Sequence, residues 1–154
     1  MTNEASRTGT AQTGTASGAP DPRRGRTSLE LHVADVERSL SFYGTLGFQV
    51  ARRWKDWIRL DRDGAELVLF GDAYVRGRDH YFTPYIDRTP RGVGVEVIVE
   101  VADIETLEAV HAAAIAAALH IVRPPQDRDW KARDFRLADP DGYFIRITSP
   151  LRHD

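Results

Sequence analysis

The chain has 154 residues, of which 42% are hydrophobic and 29% charged, and its formal net charge is -2. This length and composition predict one globular domain, and the lack of cysteine excludes disulfides and thiolate metal ligands. No apolar run reaches the roughly 20 residues of a membrane span, and the charge balance offers no basic surface for nucleic acid, so neither partner is expected.

Residues 1–26 differ from the rest of the chain. They are rich in Thr, Gly, Ala, Ser and Arg and contain no aliphatic or aromatic side chain beyond alanine except Met1. Such a segment cannot bury enough apolar surface to offset the entropy of ordering, so a disordered tail is predicted. It also lacks the apolar stretch of a secretion signal, and we expect a cytoplasmic protein whose single folded domain spans residues 27–154.

The first predicted strand covers Ser28–Val33, where apolar and polar residues alternate. Asp35 then stands at the N-cap position of a helix over Val36–Thr45. Three strands follow, with a hairpin turn at Asp63-Gly64: Phe48–Trp54, Trp57–Asp61 and Glu66–Phe70. Residues 72–92 form a predicted loop rich in aromatic residues, either a lid packed on its own domain or a ligand contact.

The second half of the chain repeats this order. A strand over Val93–Val101 precedes Asp103, which is predicted to cap a helix over Ile104–Leu119. The remaining predicted strands are Ile121–Arg123, which ends at Pro124-Pro125, and the hairpin strands Arg133–Leu137 and Tyr143–Thr148. The order β-α-β-β-β therefore occurs twice, in module one (residues 27–71) and in module two (residues 93–150).

Two sequence echoes support a duplication. Residues 31–38, LHVADVER, recur as VEVADIET at 99–106, which is 68 residues later, and residues 63–69, DGAELVL, recur as DGYFIRI at 141–147, which is 78 residues later. Repetition of strand, helix and hairpin together indicates a duplicated structural unit. The predicted fold class is α+β, with two tandem βαβββ modules forming a curved mixed sheet around a cleft.

Alternation also assigns the faces of the first and last strands of each module. Odd-numbered positions are apolar and should pack under the helices, so even-numbered positions point the other way. The second set is Ser28, Glu30, His32, Glu66, Val68, Phe70, Glu96, Ile98, Glu100, Phe144, Arg146 and Thr148. Its mixed polar and aromatic character is typical of a ligand cavity, and a face merely exposed to solvent is the alternative.

Two signatures resemble the vicinal oxygen chelate superfamily, which includes glyoxalase I, extradiol dioxygenases, fosfomycin-modifying enzymes and bleomycin resistance proteins. The first is HVADVERSLSFY at 32–43, followed by Leu46-Gly47-Phe48. The second, WKARDF at 130–135 followed by DPDGY at 139–143, is similar to the ending of the bleomycin resistance branch especially. The resemblance covers about residues 28–149 and implies the paired-module fold and a homodimer.

Metal enzymes of that superfamily carry ligands at four equivalent positions, on the first and last strand of each module. The resemblance places these positions at Ser28, Val68, Glu96 and Arg146. Because valine donates no lone pair and arginine stays protonated, only Glu96 is an ordinary ligand, whereas a catalytic metal needs at least three protein ligands. No metal and no other cofactor is predicted, and an ion pair between Glu96 and Arg146 is predicted instead.

No catalytic residue is predicted, since neither a nucleophile elbow nor a phosphate-binding loop is present. The predicted function is metal-independent binding and sequestration of a small organic ligand, resembling antibiotic binding and resistance by bleomycin resistance proteins. Acidic cleft residues favour a cationic ligand, and tryptophans favour an aromatic one. The predicted ligand-binding residues are Glu30, His32, Trp54, Trp57, Glu66, Phe70, Glu96, Trp130, Phe135, Phe144 and Arg146.

Two alternative functions remain open from the sequence. One is a metal-dependent lyase, isomerase or dioxygenase of the same superfamily. The other is a non-catalytic scaffold or a regulatory dimer with a degenerate cleft.

Overall fold

A computed structural model describes residues 27–151, so the predicted disorder of residues 1–26 lies outside the described residues. Module one contains β1 (Leu29–Val33), α1 (Val36–Thr45), β2 (Gln49–Trp54), β3 (Trp57–Arg62) and β4 (Ala65–Gly71). A short helix, α2 (Asp72–Val75), begins the connecting segment. Module two contains β5 (Glu96–Glu100), α3 (Ile104–Ala116), β6 (His120–Arg128), β7 (Ala132–Ala138) and β8 (Phe144–Pro150). The predicted α+β fold of two βαβββ modules is confirmed.

The duplication extends to the pairing register of the strands. The sheets have the orders β1-β4-β3-β2 and β5-β8-β7-β6. In the parallel β1–β4 pair Leu29 lies opposite Leu67, and in the parallel β5–β8 pair Val97 lies opposite Ile145. These residues are separated along the chain by the same offsets as the two sequence echoes, so equivalent positions of the modules can be compared residue by residue.

Each helix covers one face of its sheet. The predicted N-caps are present, because the Asp35 carboxylate accepts a hydrogen bond from the Arg38 amide at 3.0 Å and the Asp103 carboxylate accepts one from the Thr106 amide at 2.8 Å. The odd-numbered residues of β1, β4, β5 and β8 supply most of the apolar surface beneath the helices, with Leu31, Leu69, Ile145 and Ile147 almost completely buried. The other side of each sheet, away from its helix, is called the open face below.

Strand β6 is longer than predicted. It runs nine residues, from His120 to Arg128, through the two prolines that were expected to end it. Strand β6 lies at the edge of its sheet, and its pairing with β7 shifts register between Arg123 and Gln126. Pro124 and Pro125 therefore fall in an irregular part of an edge strand, where a missing backbone N–H is tolerated.

A buried arginine links the two modules. Arg91, in the connecting segment, donates to both carboxylate oxygens of Asp72, at 2.9 and 2.6 Å, and to the His32 carbonyl oxygen at 2.9 Å. Its Nε lies 3.4 Å from the Asp141 carboxylate, which itself accepts from the Ala34 amide at 3.0 Å. One guanidinium thus connects the end of β1, the start of α2 and the β7–β8 turn.

The DPDGY signature at 139–143 builds that turn and attaches it to module one. Asp139 accepts hydrogen bonds from the amides of Asp141 and Tyr143 and from the Tyr43 hydroxyl, which lies 2.9 Å away on α1. The Tyr143 hydroxyl donates to the His32 carbonyl at 3.0 Å. These contacts give the signature a structural role in joining the modules. Separately, no helix within residues 27–151 is long and apolar enough to cross a membrane.

Candidate functional site

An aromatic cluster covers the open face of module one around His32. The His32 ring centroid lies 5.3 Å from that of Phe70 on β4. The connecting segment places Phe82 at 4.5 Å and His80 at 5.3 Å from the same imidazole, as centroid distances. Of the two alternatives for this segment, the structure therefore shows packing of residues 80–82 against their own sheet.

His32 is the most enclosed polar group of this cluster. Its side chain is 9% exposed, its Nε2 lies 3.5 Å from Glu30 Oε1, and its buried Nδ1 has no hydrogen-bond partner. Burial lowers the pKa of His32 below 6.5 despite the opposing charge of Glu30. A cavity of about 350 Å³ between β1 and the connecting segment is lined by Glu30, His32, Phe82 and Tyr85 among others, so a neutral imidazole borders space for a small molecule.

The remaining residues predicted for module one lie on the same face. Trp57 donates from its indole Nε1 to Glu30 Oε2 at 3.1 Å, and Trp57 is paired with Phe70 across β3 and β4. Trp54 pairs with Trp57 at the end of β2 and is 54% exposed. The structure thus brings together Glu30, His32, Trp57 and Phe70, with Trp54 at the edge of the group.

The open face of module two carries the predicted ion pair. Arg146 Nη2 on β8 lies 3.2 Å from Glu96 Oε2 on β5, and both side chains are largely covered. The equivalent positions of module one carry Val68, which is buried, and Ser28, which is exposed just before β1. These four residues do not fit a divalent metal, because a guanidinium and an aliphatic group stand where ligands are needed.

No other metal site is formed by the described part of the chain. Within residues 27–151, no group of three or more His, Cys, Asp or Glu side chains is placed to hold a metal ion. His32 and His80 are close to each other, but their third neighbours are the rings of Phe70 and Phe82.

The centre of module two's open face is rich in arginine. Arg146 lies directly opposite Arg136 on β7, and Arg136 lies directly opposite Arg123 on β6. Beside this row the fully buried Asp134 accepts a hydrogen bond from Arg128 at 2.7 Å and lies 3.4 Å from Arg136 Nε. Sequence reasoning missed these arginines because it assigned faces only to the first and last strand of each module.

The arginines correct the expectation of an acidic cleft. Glu96 pairs with Arg146, and Glu66 lies 4.0 Å from Arg59 on the neighbouring strand. In module one, Arg52 lies opposite Arg59 on the same face. Counting carboxylates on the outer strands alone overstated the negative charge, so the charge of the open faces does not favour a cationic ligand.

Two further predicted residues lie at hollows in module two, and one does not reach the open face. Phe144 borders a hollow of about 410 Å³ that also contains Arg136 and Glu96, and Trp130, 57% exposed, borders one of about 280 Å³ that contains Arg146. Phe135 is wrong as a ligand contact, because it is completely buried in the core against His111 of α3.

Comparison with known proteins gives a consistent family assignment. Residues 26–147 match the sequence pattern of the Glyoxalase/Bleomycin resistance protein/Dioxygenase superfamily. A search of curated proteins found no match. Among solved structures, a glyoxalase/bleomycin resistance protein/dioxygenase from Nocardioides is similar, with 26% identity and a TM-score of 0.65 over 86% of this chain and 87% of that one.

Two more distant structures share the fold. A bleomycin resistance determinant encoded on the transposon Tn5 has 18% identity and a TM-score of 0.61, covering 84% of this chain and 100% of its own. Lactoylglutathione lyase from Agrobacterium tumefaciens has 13% identity and a TM-score of 0.59, covering 84% of this chain and 96% of its own. A binding protein and an enzyme are thus similar in fold, so the residues of the site must decide between these activities.

Proposed function

The chain belongs to the Glyoxalase/Bleomycin resistance protein/Dioxygenase superfamily, and on that premise we propose that it binds and sequesters a small organic molecule without a metal ion and without transforming it. One observation carries this proposal. Arg146 and Glu96 form an ion pair 3.2 Å long at two of the four positions that hold metal ligands in the metal enzymes the chain resembles. A cation placed beside the guanidinium would be repelled.

The open faces support binding of an organic ligand. A cavity of about 350 Å³ lies beside the His32 cluster, within the range of small-molecule pockets. Rings on this side of module one and at the hollows of module two offer flat apolar surfaces on which an aromatic ligand can stack. Enclosure of such a compound lowers its free concentration, which is the form of drug resistance that the family relationship suggests.

A homodimer in the cytoplasm is part of the same proposal. Trp54, Ile98 and Trp130 are each more than half exposed on the open faces of the sheets. A second copy of the chain laid over these faces would cover apolar surface and enclose ligand between two modules. Sedimentation of the purified protein measures this directly, and a monomer at all concentrations would contradict it.

The function is tested by a thermal-shift screen of planar drugs of both charges beside Ni²⁺, Zn²⁺ and Mn²⁺, because any ligand of the native state raises the melting temperature. We expect an organic compound to raise it, to quench tryptophan fluorescence and to be recovered unchanged by mass spectrometry. Conversion of the compound, or stabilisation that requires a divalent ion, would instead support the metal-dependent enzyme.

Two variants and one further outcome complete this test. Arg146→Met should weaken binding of the selected compound, whereas Arg133→Met is the matched control, because Arg133 pairs with Glu108 and Asp127 away from the open face. If no organic compound and no metal ion stabilises the protein, the scaffold or regulatory dimer is the better account.

A further inference from the structure

We propose that the open face of module two binds the anionic group, a carboxylate or a phosphate, of the small organic ligand. This inference rests on the proposed function and specifies its ligand. It starts from the row in which Arg123, Arg136 and Arg146 stand directly opposite one another on β6, β7 and β8. The fourth member of the row, Ile98 on β5, is uncharged.

Folding alone gives no reason for this row. Side chains directly opposite each other on neighbouring strands lie in contact range, and like charges there repel. Within residues 27–151, Glu96 is the ion-pair partner of Arg146 and Asp134 that of Arg136, while Arg123 forms no ion pair. Three cations in a line with this partial compensation are stabilised when an anion binds between them.

The row also retains unused hydrogen-bond donors. Each guanidinium has five N–H groups in a planar fork that matches the oxygens of a carboxylate or phosphate. The Nε atoms of Arg136 and Arg146 are buried and have no hydrogen-bond partner. In the described part of the chain, Arg123, Arg136 and Arg146 form no hydrogen bond through their side chains, so the donors that an anion requires are available in one place.

Asp134 fixes part of this arrangement. Its carboxylate is fully buried, accepts from Arg128 at 2.7 Å and lies 3.4 Å from Arg136 Nε. These contacts restrict two guanidinium groups from below, so less side-chain entropy is lost when a ligand binds. The second oxygen, Asp134 Oδ2, has no hydrogen-bond partner and can accept from a hydroxyl or N–H group next to the anionic group.

Aromatic surfaces stand at both ends of the row. The guanidinium of Arg136 lies 6.0 Å from the centre of the Phe144 ring, beside the hollow of about 410 Å³. Trp130 borders the hollow of about 280 Å³ next to Arg146. An anionic group on the arginines thus leaves the aromatic part of the same ligand within reach of a ring.

Module one provides an internal comparison. The equivalent row there is Glu30, Val68, Arg59 and Arg52 on β1, β4, β3 and β2. It has a valine where module two has Arg146 and a carboxylate where module two has Ile98. The anion preference therefore belongs to module two and is not a general property of the fold.

The probes that test this proposal are phenyl phosphate, benzoate and the cation benzamidine, titrated calorimetrically at low salt. Both anions carry one aromatic ring, so charge is the main difference from benzamidine. We expect an anionic probe to bind, and benzamidine not to bind, at millimolar concentration. Arg136→Gln and Arg146→Gln should each weaken the anion by about tenfold or more, and the stronger anion identifies phosphate or carboxylate as the preferred group.

Two controls locate the binding. Arg133→Gln changes the residue next to Asp134 on the opposite face of β7, where Arg133 pairs with Glu108 and Asp127, and it should leave anion affinity unchanged. Trp130→Phe should remove the fluorescence change on binding, whereas Trp54→Phe, at an equally exposed tryptophan of module one, should retain it. Because Arg123 is exposed, Arg123→Gln is a second variant of the row that should fold normally.

The proposal is overturned if benzamidine binds in preference to both anions, if neither anion binds, or if the row variants and Arg133→Gln have the same affinity. Each of these results leaves metal-independent binding of another compound intact, because that function is tested by the drug and metal screen. Conversely, a metal requirement found in that screen would refute the proposed function even if the arginines bind an anion.

Discussion

Replacement of Arg91 by methionine should strongly destabilise the protein, because this side chain joins the two modules. Its guanidinium contacts Asp72, Asp141 and the His32 carbonyl, and it also donates to the Ile86 carbonyl. Methionine fills a similar volume but leaves the carboxylates without the cation that compensates their burial.

The magnitude follows from the burial of these groups. The side chains of Arg91, Asp72 and Asp141 are 9%, 5% and 4% exposed. Breaking a buried ion pair by removing one partner costs about 3–5 kcal/mol, a large part of the roughly 5–15 kcal/mol that stabilises a typical domain. For a chain of this size, such a loss lowers the melting temperature by roughly 10–20 °C.

Calorimetric or circular-dichroism melting of Arg91→Met measures this loss. Arg76→Met is the matched control, since it removes an ion pair to Asp87 of 2.9 Å that lies on the surface, and it should change the melting temperature only slightly. Asp72→Asn combined with Arg91→Met should recover part of the stability, because the stranded charge is removed. Equal effects of the two methionine variants, or a double variant that is simply additive, would refute this reasoning.

Two further predictions concern pH and backbone strain. Burial lowers the pKa of His32 below 6.5, so the stability contributed by its neutral form is present above pH 6.5 and is lost as the pH falls through the folded-state pKa; His32→Leu should therefore lose less unfolding free energy than the wild type between about pH 7.5 and 5.5, and equal losses would contradict this. Gly142 and Gly64 have φ angles of +91° and +85°, but an added Cβ at Gly142 would lie 2.5 Å from a proline Cβ, whereas Gly64 has open space. Gly142→Ala should destabilise the protein by about 1–3 kcal/mol more than Gly64→Ala in urea unfolding, and equal midpoints would show that the turn can move.

Local sequence patterns predicted the elements whose structure depends on neighbouring residues. Asp35 and Asp103 indicated both helix starts because a cap acts within three residues. Alternation in the outer strands identified the faces of β1, β4, β5 and β8. The Glu96–Arg146 ion pair was predicted because the two echoes align these positions on neighbouring strands of one module.

Features that depend on pairing between distant strands were missed. The arginine row exists because β6 shifts register beside Arg123, which no local pattern specifies. Alternation in β7 was nevertheless sufficient to place Phe135 in the core and Arg136 on the open face, since Phe135 alternates with Asp134 and Arg136. Arg91 gave no signal in the sequence, because its partners come from three separate parts of the chain.

The most direct test of the central claim is the metal content of the purified protein, measured by inductively coupled plasma mass spectrometry together with melting before and after chelation. Because Arg146 and Glu96 are paired where metal enzymes of the superfamily hold ligands, we expect far less than one transition-metal ion per chain and a melting temperature that chelation leaves unchanged. A stoichiometric Ni, Zn, Mn or Fe ion whose removal lowers the melting temperature would contradict the account.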